Sequence, residues 1–215
     1  MDTSASRNFH ALGLSEAILR DLADAKFVSP TPIQEQAIPP ALAGRDVIGC
    51  AQTGTGKTAA FVIPMIERLS TLPKGQPKAL ILAPTRELAL QTLTTIEKLG
   101  RSRRISATVI VGGADMQAQV RGLRQRPDIL VATPGRLLDH MWNGTILLSS
   151  ITMLVLDEAD RMLDMGFAPQ INQILDALPE ERQTLLFSAT LPADLARLVQ
   201  ASVNNPVRVM VAPSA

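Results

Sequence analysis

The chain has 215 residues, of which 46% are hydrophobic, and this length and composition suit one α/β domain. Its formal net charge of +1 points to no class of partner, and its single cysteine, Cys50, excludes an internal disulfide. Because no apolar run approaches the roughly 20 residues that span a bilayer, and the N-terminus lacks the apolar core of a signal peptide, we expect a cytoplasmic protein without a membrane partner.

Short apolar runs typical of buried strands recur along the chain. They lie at 46–49, 79–82, 106–111, 128–131, 153–156, 184–187 and 207–211. Segments with helical apolar spacing lie between most of them, at 59–72, 87–99, 116–124, 136–141, 168–178 and 193–199. This alternation predicts an α/β fold with a largely parallel sheet and helices on both faces. Ligands bind such sheets at the carboxyl ends of the strands, where the motifs described below fall.

The first motif in chain order is a glycine-rich turn after the first predicted strand. Residues 51–58 read Ala-Gln-Thr-Gly-Thr-Gly-Lys-Thr. Gly54 and Gly56 allow the backbone to curl so that its N–H groups point inward, at the positive end of the next helix. Lys57 would then reach the β- and γ-phosphates of a nucleotide, and Thr58 would ligate magnesium. The candidate phosphate-binding residues are Gln52, Thr53, Gly54, Thr55, Gly56, Lys57 and Thr58.

A cluster of acids follows the fifth predicted strand. Asp157, Glu158 and Asp160 come directly after the apolar residues 153–156. Asp157 is placed to hold magnesium, directly or through water, and Glu158 to orient and deprotonate an attacking water. Acids that favour a helix dipole would explain one such carboxylate but not three within four residues. Together with the glycine-rich turn, the cluster predicts a magnesium-nucleotide pocket in which Lys57, Asp157 and Glu158 are catalytic.

The acid cluster reads Asp-Glu-Ala-Asp, and the chain resembles the N-terminal RecA-like lobe of the DEAD-box ATP-dependent RNA helicases. Motifs of that lobe occur in order at 30–34, 51–58, 84–89, 112–113, 133–136 and 188–190. The resemblance covers residues 9–211, which leaves a flexible leader at 1–8 and a tail at 212–215. It implies a RecA-like P-loop fold with ATP and Mg²⁺ as cofactors. Lys26 departs from the pattern, since a glycine is usual there.

The resemblance implies that residues 27–34 read the adenine base. Phe27, Thr31 and Gln34 are the candidates. The amide of Gln34 can donate to and accept from adenine at once. Phe27 could stack on the base, although an aromatic residue beside a proline-rich turn is as often part of the core.

The resemblance also implies contacts to RNA, mainly to the single-strand backbone, because five Phe, one Trp and no Tyr argue against binding by base stacking. Thr85 and Thr133 each follow a predicted strand and precede a helix, so hydroxyl, backbone N–H and helix dipole can converge on a phosphate. Either threonine alone also fits an ordinary helix cap. The candidate RNA contacts are Pro84, Thr85, Arg86, Gly112, Gly113, Thr133, Pro134, Gly135 and Arg136.

Three residues are expected to couple the nucleotide to RNA unwinding. Ser188 and Thr190 would transmit the signal by hydrogen bonds toward Asp160. The family's second RecA-like lobe, which supplies arginine fingers, is not recognisable in the 215 residues, so we expect this chain alone to bind ATP and RNA weakly and to hydrolyse little. Two alternatives remain open: another phosphate-loop enzyme, such as a nucleotide kinase or DNA motor, and a nucleotide-gated RNA- or protein-binding module without turnover.

Overall fold

The computed structural model describes residues 8–212, and seven strands form one sheet in this range. The strands are β1 (Val47–Cys50), β2 (Ala79–Leu82), β3 (Ala107–Ile110), β4 (Ile129–Ala132), β5 (Met153–Leu156), β6 (Gln183–Ser188) and β7 (Val207–Met210). Their order is β3-β4-β2-β5-β6-β1-β7, and every described pairing is parallel. The predicted α/β fold with a parallel sheet is therefore confirmed. The proposed leader and tail lie mostly outside the described residues.

Helices connect the strands, and a short 3-10 helix at Phe9–Leu12 precedes them. The α-helices of the described range are α1 (Glu16–Asp24), α2 (Pro32–Leu42), α3 (Lys57–Leu69), α4 (Arg86–Leu99), α5 (Met116–Arg124), α6 (Pro134–Trp142), α7 (Ala159–Asp164), α8 (Ala168–Ala177) and α9 (Ala193–Ser202). Helices α1 and α2 were not predicted. None of the helices in residues 8–212 is both long and apolar enough to cross a bilayer.

Helix α2 shows why sequence patterns missed it. Pro39 and Pro40 lie inside the helix, where proline removes a backbone donor and normally breaks the helical ladder. Ile33 and Ile38 are nevertheless fully buried in the apolar core on one face of the sheet. Packing of this apolar face therefore outweighs the unfavourable local propensity.

The sheet separates two apolar cores. On one face, strand residues such as Ile81 and Phe187 pack with helices α1 to α4. On the other face, Leu80 and Leu82 pack with helices α6 to α9. Successive side chains of a strand alternate between the faces, so both faces of each central strand are apolar.

The strand order divides the carboxyl edge of the sheet into two halves. The ends of β5, β6 and β1 are neighbours, and we call them the β6 half. The ends of β3, β4 and β2 are also neighbours, and we call them the β4 half. The predicted phosphate, acid and coupling motifs follow the strands of the β6 half, whereas the predicted RNA motifs follow those of the β4 half.

Candidate active site and nucleic-acid interface

The turn after β1 curls around the N-terminus of helix α3. Gly54 and Gly56 have left-handed backbones, with φ of 84° and 83°, which glycine adopts without strain. The hydroxyl of Thr55 donates to the carbonyl of Gln52 at 2.6 Å and closes the turn. Helix α3 begins at Lys57, so the positive end of its dipole lies at this turn. Such a turn can bind an anion.

Lys57 and Asp157 form a buried ion pair behind the turn. The Lys57 Nζ lies 3.5 Å from an Asp157 carboxylate oxygen and 3.6 Å from a Glu158 oxygen. Lys57 is 5% exposed and Asp157 is fully buried. Among residues 8–212, neither the ammonium nor either Asp157 oxygen has a hydrogen-bond partner. Because buried charged groups normally have such partners, these atoms mark a place where a ligand fits.

The protonation of Asp157 reflects this environment. Burial raises the pKa of Asp157 to about 6, although the nearby Lys57 ammonium acts to lower it. The carboxylate form is disfavoured because burial removes it from water, and the attraction of the Lys57 ammonium offsets this loss only in part. A bound cation would restore the interactions that the carboxylate lacks.

Glu158 is held between two positive side chains. Its backbone is left-handed, with φ of 51° and ψ of 52°, a conformation that costs a non-glycine residue about 1–2 kcal/mol. One carboxylate oxygen lies near Lys57, and the other accepts a hydrogen bond from Arg161 at 3.3 Å. Sequence reasoning missed Arg161, although its (i, i+3) spacing from Glu158 is a known signal for a helical ion pair.

An open cleft of about 580 Å³ joins the turn to helix α4. Its lining residues are Thr53, Gly54, Gly56, Lys57, Thr58, Thr85, Glu87, Leu88, Gln91, Glu158 and Arg161. Glu87, Leu88 and Gln91 were not predicted as site residues. They come from helix α4, so the cleft reaches from the β6 half to the first strand of the β4 half.

The side-chain oxygen atoms in this region are suited to ligate magnesium. Thr58 shares the cleft with Glu158, and Asp157 lies directly behind Lys57. Within residues 8–212 there is no group of three or more His, Cys, Asp or Glu side chains suited to hold a metal alone. Magnesium does not need one, because it is usually held by one or two carboxylates together with substrate phosphates and water.

The predicted adenine-reading residues lie beside the turn but contact the protein itself. Gln34 is buried, and its carbonyl oxygen accepts from the Thr31 N–H at 2.9 Å. Its amide nitrogen donates to the Gly56 carbonyl at 3.0 Å. Phe27 packs edge-on against Phe9, with ring centroids 6.5 Å apart. Gln34 therefore ties helix α2 to the turn here, and its contact with adenine stays a prediction.

The three predicted coupling residues contact one another. The Ser188 hydroxyl accepts from the Asp160 N–H at 3.2 Å. The Asp160 carboxylate accepts from the backbone and hydroxyl of Thr190, at 3.1 and 2.9 Å. Burial acts to raise the pKa of Asp160, but the hydrogen bonds of Thr190 and Ser188 outweigh it and hold that pKa below its usual range. The acid cluster after β5 is thus joined to the end of β6.

Two threonines of the β4 half lie at helix N-termini, as the sequence predicted. Thr85 caps helix α4, and its hydroxyl accepts from the Leu88 N–H at 3.2 Å. Thr133 precedes helix α6 without a side-chain capping bond, and Pro134 occupies the first turn. Pro84 is buried just after the end of β2, so its side chain is not exposed at this surface.

The glycines and Arg86 lie at an open surface. Gly112 and Gly135 have space where a Cβ would be, and Gly113 has a φ of 76°. Arg86 is exposed, and its guanidinium lies 3.7 Å from the position that a Gly113 Cβ would take. These residues come from the ends of β2, β3 and β4, so the structure brings the predicted RNA motifs to one surface.

Arg136 is more constrained than the sequence indicated. Its Nη1 donates to the Ala114 carbonyl at 2.9 Å and to the Gln119 side-chain oxygen at 3.3 Å. Its Nε lies 3.7 Å from an Asp139 carboxylate oxygen. Both hydrogen bonds of Arg136 within residues 8–212 use Nη1, so Nη2 can still donate to a ligand, and its contact with RNA stays a prediction. Sequence reasoning missed Gln119, which lies 17 residues from Arg136.

Comparison with known proteins agrees with this geometry. The sequence model of the DEAD/DEAH box helicase family matches residues 31–198. The ATP-dependent RNA helicase drs1 of Neosartorya fischeri is 47% identical over 212 residues, which is 97% of this chain and 26% of that protein. Its counterpart from Neurospora crassa is 50% identical over 206 residues, covering 94% and 25%. The chain therefore spans about a quarter of these relatives.

A solved structure shows the same fold. The crystal structure of a DEAD box protein from Methanococcus jannaschii aligns with a TM-score of 0.88 and 38% sequence identity. The alignment covers 94% of this chain and 55% of that one. This likeness supports the RecA-like description of the parallel sheet.

Proposed function

This chain belongs to the DEAD/DEAH box helicase family, and we propose that it acts as the ATP-binding and RNA-contacting lobe of an ATP-dependent RNA helicase. The observation that carries this proposal is the buried pair of Lys57 and Asp157, whose charged atoms have no hydrogen-bond partner within residues 8–212. A pair of this kind behind a glycine-rich turn suits the phosphates and cation of a magnesium-nucleotide complex.

The side chains of the β6 half would divide the work at the nucleotide. Lys57 and the N–H groups at the start of α3 would bind phosphate oxygens, and Thr58 and Asp157 would hold the metal. Glu158 would accept a proton from the attacking water, while Arg161 holds its second oxygen in position. Magnesium, when bound, would neutralise phosphate charge and so lower the barrier to phosphoryl transfer.

The β4 half would bind the RNA backbone. Thr133, Arg86 and Nη2 of Arg136 offer donors on the surface that carries the Gly112–Gly113 turn. Backbone contacts of this kind position a nucleic acid without reading its sequence. In a longer protein, a second RecA-like lobe would close on both halves, supply arginines at the nucleotide, and so couple hydrolysis to local unwinding of an RNA duplex.

The contacts of Ser188 and Thr190 with Asp160 support the coupling role. They join the acid cluster to β6 without touching Lys57, so they can respond to the nucleotide and still leave its binding intact. In a helicase that contains this chain, Ser188→Ala is expected to lose RNA unwinding and to retain ATP hydrolysis. Equal loss of both activities would contradict this role.

The first experiment is calorimetric titration of this chain with ADP and magnesium, with GDP as the comparison ligand. Wild type is expected to prefer ADP, and Gln34→Ala is expected to lose that preference. Because Gln34 also holds the Gly56 carbonyl, a weaker variant that keeps the same ADP-to-GDP ratio would show that Gln34 only shapes the turn. Absence of nucleotide binding by wild type at millimolar concentrations would contradict the proposed function.

A second experiment tests the nucleic acid. A fluorescent single-stranded RNA should bind the chain more tightly than DNA of the same sequence, and rising salt should weaken the binding, as expected for phosphate contacts. Tighter binding of DNA would favour a DNA-directed motor.

A further inference from the structure

A buried polar network lies beneath the β4 half. His140 of helix α6 is fully buried and Gln119 of helix α5 is 6% exposed. The His140 Nε2 lies 2.8 Å from the Gln119 side-chain oxygen, and its Nδ1 lies 2.7 Å from the Thr145 hydroxyl. Polar groups buried in an apolar layer are costly unless all of them are paired, and here each has a partner.

The bonds of Gln119 determine the orientation of this network. Its amide nitrogen donates to the Val111 carbonyl at 2.7 Å, so its oxygen is the atom that faces Arg136 and His140. That oxygen can only accept, so His140 must carry a proton on Nε2. The neutral ring then accepts at Nδ1 from the Thr145 hydroxyl. The single proton of this hydroxyl has two acceptors, Nδ1 at 2.7 Å and the His140 carbonyl at 3.0 Å, and the shorter contact favours Nδ1. Burial, reinforced by Arg136, lowers the pKa of His140, in keeping with a neutral ring.

The network holds the Gly112–Gly113 turn from both sides. Gln119 bonds the Val111 carbonyl, directly before Gly112. Arg136 bonds the Ala114 carbonyl, directly after Gly113, and the same Arg136 nitrogen donates to Gln119. Gln119 therefore links the end of β3 to Arg136 in the first turn of α6, and Arg136 extends the link to the other side of the Gly112–Gly113 turn. His140 lies four residues after Arg136, on the same face of α6. Its Nε2 contacts the same Gln119 side-chain oxygen that accepts from Arg136.

We infer that Gln119, supported by His140, is a positioning residue for RNA: it holds the Gly112–Gly113 turn and the Arg136 guanidinium in the arrangement that a backbone phosphate of single-stranded RNA requires. This inference rests on the proposed RNA-contacting function. Gln119 itself is buried and does not touch the RNA. Its effect is preorganisation, since a guanidinium already held in place loses less freedom on binding.

The test replaces Gln119 by methionine, which keeps the length of the side chain and removes both polar atoms. Gln119→Met is expected to weaken binding of a fluorescent single-stranded oligouridylate about tenfold, the effect of losing one hydrogen bond to a charged group. ADP affinity should not change. Gln125→Met, at the exposed end of helix α5, is the matched control and should bind this RNA like wild type.

His140 provides a rescue experiment. His140→Leu removes the donor to Gln119 and should weaken RNA binding. His140→Gln should restore most of that loss, because its amide N–H can replace Nε2–H. NMR of the ring nitrogens should show the proton on Nε2 in wild type. A proton on Nδ1 alone would contradict the network.

Each outcome decides the inference separately from the proposed function. RNA affinity that stays unchanged in Gln119→Met would overturn the inference, and so would parallel losses of RNA and ADP affinity, which indicate a purely structural role. If wild type does not bind RNA, the proposed RNA contact fails. Amide hydrogen exchange at residues 112–115 then decides the positioning role, which requires faster exchange in Gln119→Met than in Gln125→Met.

Discussion

The two halves of the carboxyl edge treat their buried polar groups in opposite ways. In the β6 half, Lys57 and Asp157 are buried without hydrogen-bond partners in the described chain. In the β4 half, Gln119 and His140 are buried with every polar atom paired. The β6 half thus keeps unmet interactions that a ligand can supply, whereas the β4 half is already organised before a ligand arrives.

This difference has an energetic consequence. A ligand that satisfies buried charges binds the folded chain and not the unfolded one, so it stabilises the fold by an amount that rises with the logarithm of its concentration above the Kd. We therefore expect the β6 half to depend on its ligand for stability. The β4 half should depend on its internal network.

The largest expected effect breaks the β6 half alone. Lys57→Ala should weaken ADP binding about 100-fold or more, because it removes a buried charge and leaves the Asp157 carboxylate without its cation. RNA binding measured without nucleotide should remain as in wild type. Calorimetry and fluorescence anisotropy measure the two affinities, and the exposed Lys98→Ala serves as the control. A parallel loss of RNA binding would show that the halves are not separate.

The next effect concerns packing around Gly56 in the glycine-rich turn. A Cβ added at Gly56 would lie 2.5 Å from the Gln34 amide nitrogen, at a φ of 83°. Gly56→Ala should therefore lower the free energy of unfolding by about 2–4 kcal/mol, from crowding together with left-handed strain. Gly44 has the same φ and open space around it. Gly44→Ala should therefore lower the free energy of unfolding only by the cost of the left-handed strain, about 1 kcal/mol. Equal losses in urea titrations would mean that the contact with Gln34 is unimportant.

The two halves should respond to acid with opposite signs. Asp157 has its pKa raised from 3.8 to about 6 in the fold. Between pH 7.5 and 5 the folded chain therefore takes up a proton that the unfolded chain does not. Wild type should gain about 1 kcal/mol of unfolding free energy relative to Asp157→Asn over this range.

His140 should make acid destabilise the fold, the opposite of the effect expected from Asp157. Its pKa is lowered from 6.5, mainly by burial, so the unfolded chain takes up the proton first. Below pH 6.5 wild type should lose stability relative to His140→Gln. Urea titrations at several pH values compare each variant with wild type. Identical pH dependence of wild type and both variants would remove this distinction between the halves.

The smallest expected effect comes from Lys26, directly before the predicted adenine-reading residues. Lys26 has a left-handed φ of 62°, a conformation that favours the glycine expected at this position from the resemblance to the family. Lys26→Gly should raise the free energy of unfolding by about 0.5–1 kcal/mol, because glycine adopts this conformation without strain. Lys26→Ala keeps the Cβ and should not stabilise the chain. Thermal unfolding compares the two, and equal stabilities would contradict the strain.

The residues of the β6 half could be predicted because each one belongs to a short motif. Lys57 and Thr58 follow the glycine-rich turn, and Asp157 and Glu158 follow a buried strand. The chemistry of such a motif is contained in a few consecutive residues. The carboxyl ends of parallel strands share one edge of a sheet, so the motifs were expected to meet.

The network of the β4 half could not be predicted in this way. Gln119 and His140 lie 21 residues apart, on different helices, and neither belongs to a motif. The internal bonds of Arg136 were missed for the same reason. Gln34 shows the converse: its motif was recognised, but its partner Gly56, 22 residues away, was not.

The parallel α/β fold, the seven strands and the order of the motifs could all be predicted before the structure, because periodicity and motif chemistry are local properties of the chain. The strand order β3-β4-β2-β5-β6-β1-β7, and with it which motifs are neighbours, became known only from the three-dimensional structure. The same holds for which polar groups are buried with hydrogen-bond partners and which are buried without them. Both depend on how helices from distant parts of the chain pack on the two faces of the sheet, and that packing has no local signature.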